Sequence, residues 1–216
     1  MTIDTADLLN SIMESLDRMP YIKPSDIPSL DLYMDQLTTF MDGKLRQTSR
    51  YPDGDKILTK TMINNYAKND LLPPPEKKKY SNEHIMMLIF IYYFKGILSI
   101  NDIQELLKPI SDQYFKNGRE YGMEQVYEEV FKDLNLHIEG VKEDIRKQYD
   151  LSRQTYEDAP EENREFLKNF AFIGYLGFDV YVKKLLIEKL IDDIRDRRLS
   201  EEQREKEAKK GKENKS

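Results

Sequence analysis

Apolar side chains recur at steps of three and four residues along most of the chain, which is the spacing of one face of an α-helix. Residues 30–45 show this spacing first, and Ser29 is a candidate N-cap for that helix. A connection rich in helix breakers follows at residues 47–55, and Thr59 then precedes a short periodic run at residues 62–67. No alternating strand pattern of convincing length is present, so the pattern predicts an all-α protein.

Prolines and capping residues divide the next part of the chain. Three consecutive prolines at residues 73–75 cannot continue a helix. Ser81 then has the position of an N-cap for a strongly apolar helix that runs to about residue 95. Ser99 and Asp102 resemble a capping box, so we predict a brief helix at residues 100–108 that Pro109 ends.

Longer helices are predicted beyond residue 110, roughly at residues 112–134, 140–157 and 161–198, with breaks at Gly140 and Pro160. The last of them has apolar residues around most of its circumference, which requires burial on several sides. Either it packs against the N-terminal domain and a second subunit, or it lines a pocket for a small apolar ligand. Packing is the favoured interpretation, because aromatic stripes at helical spacing usually form a core.

Charge is distributed unevenly along the chain. The 34 basic and 40 acidic residues give a formal net charge of −6. Residues 44–80 nevertheless hold nine basic and four acidic residues, a local net charge of +5, which leaves −11 for the remainder. This basic stretch is the part of the chain that is suited to a polyanionic partner.

Composition and missing motifs narrow the possible chemistry. With no cysteine, the chain has no disulfide, thiolate zinc ligand, iron–sulfur cluster or thiol nucleophile. The two histidines, His84 and His137, belong to no known zinc or di-iron spacing, and we expect His84 to be a surface or capping-region residue. Phosphate-binding glycine loops and nucleophile elbows are also absent. We therefore expect no enzymatic activity, no metal and no cofactor.

Targeting signals are not evident in the sequence. The first twenty residues are acidic, whereas a secretory signal begins with positive charge and continues with an apolar stretch. The most apolar run, residues 166–182, contains Lys168, Asn169 and Asp179 and is shorter than the ~20 residues that span a bilayer. The sequence therefore predicts a cytoplasmic protein without membrane contact.

Four short motifs follow one another between residues 59 and 110. They are Asn64-Asn65-Tyr66, Asp70-Leu71-Leu72-Pro73, Lys78-Lys79-Tyr80-Ser81 and the segment ILSINDI at residues 97–103. In this order they resemble the winged helix-turn-helix of MerR-type transcription regulators, which implies a recognition helix, a basic wing and a following helix. Such regulators pair through their C-terminal helices, so the resemblance also implies a homodimer.

Several positions depart from the MerR-type pattern. Asn64 stands where that family has a phosphate-gripping Arg, Asn65 replaces the first Tyr of its Arg-Tyr-Tyr core, and Asp70 replaces a Gly. The wing is several residues shorter, and the first helix of the motif would have to come from residues 29–44 at a longer spacing. We therefore expect a short or vestigial wing.

A longer stretch, residues 25–110, is similar to an uncharacterised bacterial family filed as domain of unknown function 1836. The similarity rests on the segments LDLYMDQLTTFM, LTKTMINNYAKNDLL and KKYSNEHIMML. It implies no biochemical activity.

The predicted recognition helix has two different faces. If Met62, Ile63, Tyr66 and Ala67 pack inward, the outward residues are Lys60, Thr61, Asn64, Asn65 and Lys68. Asparagine can bond adenine through two atoms, and lysine can bind phosphate or guanine. The opposing interpretation is an ordinary solvated helix face.

The residues after the three prolines form the second candidate site. Lys77, Lys78 and Lys79 would lie on backbone phosphates like a short wing, or would simply be a solvated loop. We expect Tyr80 to anchor this segment in the core and to expose its hydroxyl, and we include it among the predicted DNA-binding residues.

These observations predict a dimeric, DNA-binding transcription regulator of MerR-like type whose partner is double-stranded DNA. Its predicted domains are an acidic, partly helical segment (1–24), a MerR-like helix-turn-helix (25–110), a C-terminal helical dimerisation or sensor bundle (111–198) and a charged, disordered tail (199–216). The alternative is a protein-interaction or scaffold module that keeps the winged-helix architecture without binding nucleic acid. A continuous positive face would favour DNA, and interruption by acidic residues would favour a protein partner.

Overall fold

The computed structural model describes residues 5–17, 22–51, 53–54 and 56–213, and it is 73% helix and 3% strand, which confirms the all-α class. The acidic N-terminal segment contributes the first helix, as predicted. The elements in chain order are α1 (Thr5–Asp17), β1 (Leu32–Tyr33), α2 (Met34–Leu45), α3 (Lys60–Lys68), β2 (Lys79–Tyr80), α4 (Asn82–Phe94), α5 (Ile100–Tyr114), α6 (Met123–Phe131), α7 (Leu134–Arg153) and α8 (Glu161–Glu213).

Helix α4 lies at the centre of the hydrophobic core. Its residues 84–91 are all buried, as expected for a helix with apolar side chains around its whole circumference. Buried side chains of α2, α3, α5, α6 and α8 share this core, and the hydroxyl of Tyr127 in α6 donates to the carbonyl of Ile22 at 2.7 Å. Because α6 and Ile191 of α8 belong to this core, it extends beyond residues 25–110.

The predicted start of α2 at Ser29 is wrong. The helix begins at Met34 with Tyr33 as its N-cap, and Leu30 is 78% exposed. The residues before Met34 are drawn into strand pairing, since Leu32 lies opposite Tyr80 and Tyr33 opposite Lys79 in an antiparallel ladder. The predicted buried face is otherwise present, because Leu37, Met41 and Leu45 are all in the core.

Helix α5 has the predicted capping box but not the predicted end. The Asp102 N–H donates to Ser99 Oγ at 3.1 Å, and the Ser99 N–H donates back to the Asp102 carboxylate at 3.3 Å. Pro109 lies inside the helix, which continues to Tyr114. A proline removes one backbone hydrogen bond, and packing against α8, including the Arg198–Glu105 ion pair at 2.5 Å, holds the helix beyond that point.

The predicted single helix at residues 112–134 is also wrong. The chain turns after Tyr114, with Lys116 and Gly118 in the left-handed region, before α6 begins. Helix α7 runs through Gly140, which the sequence predicted to be a break. One glycine inside a helix costs only about 1 kcal/mol relative to alanine, and that is too little to end it.

Helices α7 and α8 form an antiparallel hairpin. Tyr149 of α7 packs edge-on against Phe172 of α8 at 5.4 Å between ring centroids, and Arg153 pairs with Glu165 at 2.7 Å. Helix α8 begins after Pro160, as predicted, but it stays helical past residue 198 to Glu213. Its end consists of Lys, Glu and Arg, which are good helix formers and make contacts along the helix such as Arg198–Glu202 at 3.0 Å.

Candidate nucleic-acid interface

Helix α3 forms the predicted two-faced helix. Thr59 caps its first turn by accepting the Met62 N–H at 3.1 Å. Ile63 and Tyr66 are buried in the core, while Met62 and Ala67 are half-buried. The five residues predicted to face outward are all exposed. They are Lys60, Thr61, Asn64, Asn65 and Lys68.

The end of α3 explains the position of Asp70. Its φ of 55° lies in the left-handed region, and both the Leu71 and the Leu72 N–H groups donate to the Tyr66 carbonyl at 2.9 and 3.2 Å. This is the helix ending in which glycine is usually found. Aspartate tolerates the left-handed conformation better than most residues, so it can occupy the position. Its exposed carboxylate forms no ion pair with any described residue.

A two-residue turn follows the three prolines. The Lys79 N–H donates to the Glu76 carbonyl at 2.8 Å, and Lys77 and Lys78 have φ values of 49° and 64°. Two consecutive positive φ values identify a type I′ turn, the tightest hairpin connection. We call residues 76–79 the lysine turn, and this turn and the β1–β2 pair lie where the sequence predicted a short wing.

The three lysines have different environments. Lys77 and Lys78, at the tip of the lysine turn, are exposed. Lys79 is half-buried, and its ammonium lies 5.1 Å from the centroid of the Tyr33 ring, a cation–π distance. The turn therefore exposes the two ammonium groups at its tip, and Lys79 also holds the strand pair together.

Tyr80 is 2% exposed, and burial raises the pKa of its hydroxyl. Its role as a core anchor is confirmed, but the expected exposed hydroxyl is wrong. Strand pairing with Leu32 turns the side chain towards α4, where its ring meets that of His84 at 5.5 Å. Tyr80 therefore supports the lysine turn from inside and is not placed to touch a duplex.

His84 lies beneath the lysine turn. Its Nδ1 accepts the Ser81 N–H at 3.0 Å, which closes a capping box at the start of α4. The capping role is as expected, but a surface position is wrong, because the ring is fully buried between Tyr80 and Phe115. Burial lowers the pKa of His84 to about 4, so the ring is neutral near pH 7.

Lys116 contacts two acidic residues, Glu76 of the lysine turn and Glu83 of α4. The Lys116 ammonium lies 2.8 Å from Glu76, and its backbone N–H donates to the Glu83 carboxylate at 2.9 Å. The hydrogen bond to Lys116 lowers the pKa of Glu76, whereas burial raises that of Glu83. Neither acid therefore stands as an isolated charge next to Lys77 and Lys78. The sequence offered no sign of this contact, because Lys116 lies about forty residues away.

Lys60 is compensated from the neighbouring helix. Its ammonium pairs with Asp35 in the first turn of α2. Both side chains are largely exposed, so the pair is weak and can be exchanged for another anion. The positive surface is thus interrupted at Asp35 and Asp70.

A shallow groove runs beside the N-terminus of α3. It is lined by Thr38, Thr39 and Asp42 of α2, by Lys56 and by residues 57–61. Lys56 is exposed and adds a cation to the lining of this groove. Sequence analysis counted Lys56 in the basic stretch but did not place it at the candidate interface.

Within the described residues, no group of three or more His, Asp or Glu side chains is arranged to hold a metal ion. His137 lies on an open groove between α7 and α8 with Leu136, Val141 and Lys183. That groove is the nearest counterpart of the predicted apolar-ligand pocket, which stays a prediction.

The comparison with protein families matches residues 22–130 to a domain of unknown function (DUF1836). The chain belongs to this family. The match extends at both ends beyond the predicted similarity at residues 25–110, and it includes α2 to α5 and nearly all of α6. No curated protein and no solved structure matches the chain. Membership of DUF1836 therefore identifies the domain but assigns no activity to it.

A helix that spans a membrane must be both long and apolar. The described helices do not meet this requirement.

Proposed function

We propose that this DUF1836 protein is a MerR-like transcription regulator that binds double-stranded DNA. In this proposal α2 and α3 are the helix-turn-helix pair, α3 is the recognition helix and the lysine turn is its short wing. The observation that carries the proposal is the exposed polar face of α3 together with two exposed lysines at the tip of a tight turn.

The face of α3 suits a base edge. Asn64 and Asn65 lie in the middle of the exposed face, and an asparagine amide can donate to N7 and accept from N6 of adenine at once. Lys60 lies at the start of that face and Lys68 at its end, where they can bind phosphate or guanine. The helix is nine residues long, so only its outward side is available for contact.

The backbone of the lysine turn supports a binding role. A left-handed conformation costs a non-glycine residue roughly 1–2 kcal/mol, and Lys77 and Lys78 both adopt it. Asn-Gly would form the same turn without that cost. Two strained lysines at an exposed tip are consistent with selection for their charge, and phosphate is the ligand that such charges favour.

The acidic residues at the interface are the reason for a second candidate function. Asp70 is uncompensated among the described residues, and Asp35 neutralises Lys60. These features favour a protein-interaction module in which α3 binds a polar protein surface. In the DNA proposal the same acids weaken non-specific attraction, and phosphate displaces Asp35 from Lys60 when a duplex binds.

The test is in vitro selection from a random duplex pool, followed by titration of the enriched sequence at several salt concentrations. We expect one enriched motif. Replacement of Lys77 and Lys78 by Ala should lower the salt slope of log K by about 2, since each phosphate contact contributes roughly 0.9.

The matched control replaces Arg146 and Lys147, two exposed cations of α7, by Ala and removes the same charge. An equal loss in both double variants would show that only net charge matters. Absence of any enriched motif would favour the protein-interaction candidate.

A further inference from the structure

The first half of α8 carries an apolar stripe that the other described residues leave uncovered. The large side chains of this stripe are 56–71% exposed. They recur at steps of three, four and seven residues, which is the spacing of a helix–helix seam. The α8 stripe, as we call it, consists of Phe166, Phe170, Ile173, Gly177, Val180 and Tyr181.

The exposure of the stripe does not come from a poorly packed helix. Phe172, on another side of the same turns, is buried against Tyr149 of α7, and Ile191 further along is buried in the core. The helix is therefore fixed in place while its stripe faces outward. Phe178 and Leu186, at 68% and 58% exposed, extend the apolar surface around the helix.

The area of this apolar surface can be compared with the patches found on monomers and with protein–protein interfaces. Aromatic side chains offer roughly 150–250 Å² each, so the exposed aromatic residues of α8 and the exposed aliphatic residues beside them present on the order of 1,000 Å². The largest apolar patch on a typical monomer is about 300–600 Å². A standard protein–protein interface buries about 800 Å² on each partner. The exposed surface therefore exceeds what a monomer usually tolerates and is sufficient for a stable dimer.

Two glycines at the centre of the surface indicate the shape of the partner. A Cβ atom added at Gly174 or Gly177 would meet nothing within 4 Å, so the single chain makes no use of the space. Glycine inside a helix costs about 1 kcal/mol relative to alanine. That cost is offset if a side chain of a partner enters the notch that the glycines leave.

A second copy of α8 fills this notch when it lies antiparallel. With a two-fold axis midway between Ile173 and Gly174, Ile173 faces Gly174 of the other copy and Phe170 faces Gly177. The same register sets Phe166 opposite Tyr181, and none of these positions is charged. Large residues thus meet glycines in both directions, which is the self-complementarity that an isologous interface requires.

We propose that the α8 stripe is the interface with a second copy of this chain, paired antiparallel about Ile173 and Gly174. The pairing does not depend on DNA, and it is tested without it, so its failure and that of the proposed function are separate results. In the dimer the stripe is buried and the notches at Gly174 and Gly177 are filled.

The first experiment measures the mass of the full chain in solution by light scattering at micromolar concentration. We expect twice the 25.7 kDa of one chain. Gly177→Leu should convert the dimer to a monomer, because it fills the notch while improving helix propensity and meeting open space in its own chain. Gly43→Leu in α2, where an added Cβ also meets nothing within 4 Å, should leave the dimer intact.

A charge placed on the stripe provides a second, independent pair of variants. Phe170→Glu should also give monomers, because dimerisation would bury the carboxylate without a partner. Leu30→Glu changes a residue that is 78% exposed far from α8, and it should remain dimeric. A monomeric unmodified chain, or a dimer that tolerates both Gly177→Leu and Phe170→Glu, would overturn the proposal.

The register is tested by crosslinking, because the chain has no cysteine of its own. A chain with both Phe166→Cys and Tyr181→Cys should oxidise to a covalent dimer, since each new thiol faces the other type across the axis. Within one helix the two positions lie about 22 Å apart and cannot bond to each other. Each single variant should stay uncrosslinked, and efficient crosslinking of either one would overturn the antiparallel register.

Discussion

Helix α4 and the first half of α8 have similar hydrophobic patterns but opposite surroundings. Both carry apolar residues around most of their circumference. Residues 84–91 of α4 are all buried in the core, whereas α8 is covered by α7 and α5 on limited faces and leaves its stripe exposed. The comparison shows that an apolar pattern indicates how much of a helix must be buried. It does not indicate whether the same chain or another chain covers the helix.

The largest expected effect is a difference in stability between Leu→Ala variants of α4 and α8. Leu88 of α4 is fully buried, and Leu88→Ala should lower the free energy of unfolding by about 2–5 kcal/mol. Leu186→Ala on α8 removes the same atoms from a residue that is 58% exposed, and it should cost the monomer less than about 0.5 kcal/mol. Urea unfolding in a dimer-breaking background measures both. Equal costs would show that α8 is covered within its own chain.

The second effect concerns the buried histidine at the start of α4. Since the pKa of His84 falls from 6.5 in the unfolded chain to about 4 in the fold, only the unfolded chain takes up a proton between these values. Stability should therefore be complete above pH 6.5 and fall by about 3 kcal/mol as the pH approaches 4.

The measurement is urea unfolding at several pH values. His84→Gln should be less stable but should lose this part of the pH dependence. His137→Gln, at an exposed position, is the matched control and should retain it. An unchanged pH profile in His84→Gln would contradict the assignment.

The third effect uses the strained residues of the candidate interface. Lys77→Asn together with Lys78→Gly should stabilise the fold by about 1–2 kcal/mol, because the new pair is suited to a type I′ turn. Asp70→Gly should stabilise by about 1 kcal/mol for the same reason at the end of α3.

The two changes should alter the affinity for DNA in opposite directions. Loss of the lysines should weaken binding, whereas loss of the Asp70 carboxylate should tighten it. Thermal unfolding and duplex titration report the two quantities. If both variants changed binding in the same direction, the lysine turn would not act as a wing.

The smallest effect on stability is expected at Asp35. Its ion pair with Lys60 is exposed, so Asp35→Asn should change the free energy of unfolding by less than about 1 kcal/mol. Release of Lys60 should nevertheless tighten DNA binding and steepen the salt slope by about 1. Asp112→Asn, which breaks the exposed Lys108–Asp112 pair on α5, is the control with the same charge change. A steeper slope in both variants would mean that the effect is not local to α3.

Local signals in the sequence predicted much of the candidate site. The inward Ile63 and Tyr66 and the five outward residues of α3 follow from helical spacing alone, and the structure confirms where they lie. The capping box of Ser99 and Asp102 follows from residue type and a three-residue separation. These features depend on neighbours within one or two turns of the chain.

The features that sequence analysis missed depend on distant contacts. Strand pairing of Leu32 with Tyr80 moved the start of α2, and packing against α8 carried α5 past Pro109. Burial of His84 and the contact of Lys116 with Glu76 join segments that are tens of residues apart. No local pattern encodes such pairs, because each partner is chemically ordinary in its own segment.

By itself, the sequence determined that this protein is helical, where its basic residues concentrate and which residues of α3 face outward. These properties follow from periodicity, capping and charge, which act over a few residues. Only the tertiary structure decided that Tyr80 and His84 are buried, that Lys116 engages the acids at the lysine turn and that the stripe of α8 stays uncovered. Burial depends on how whole helices pack against one another. It is therefore determined by contacts between segments that are distant in the sequence.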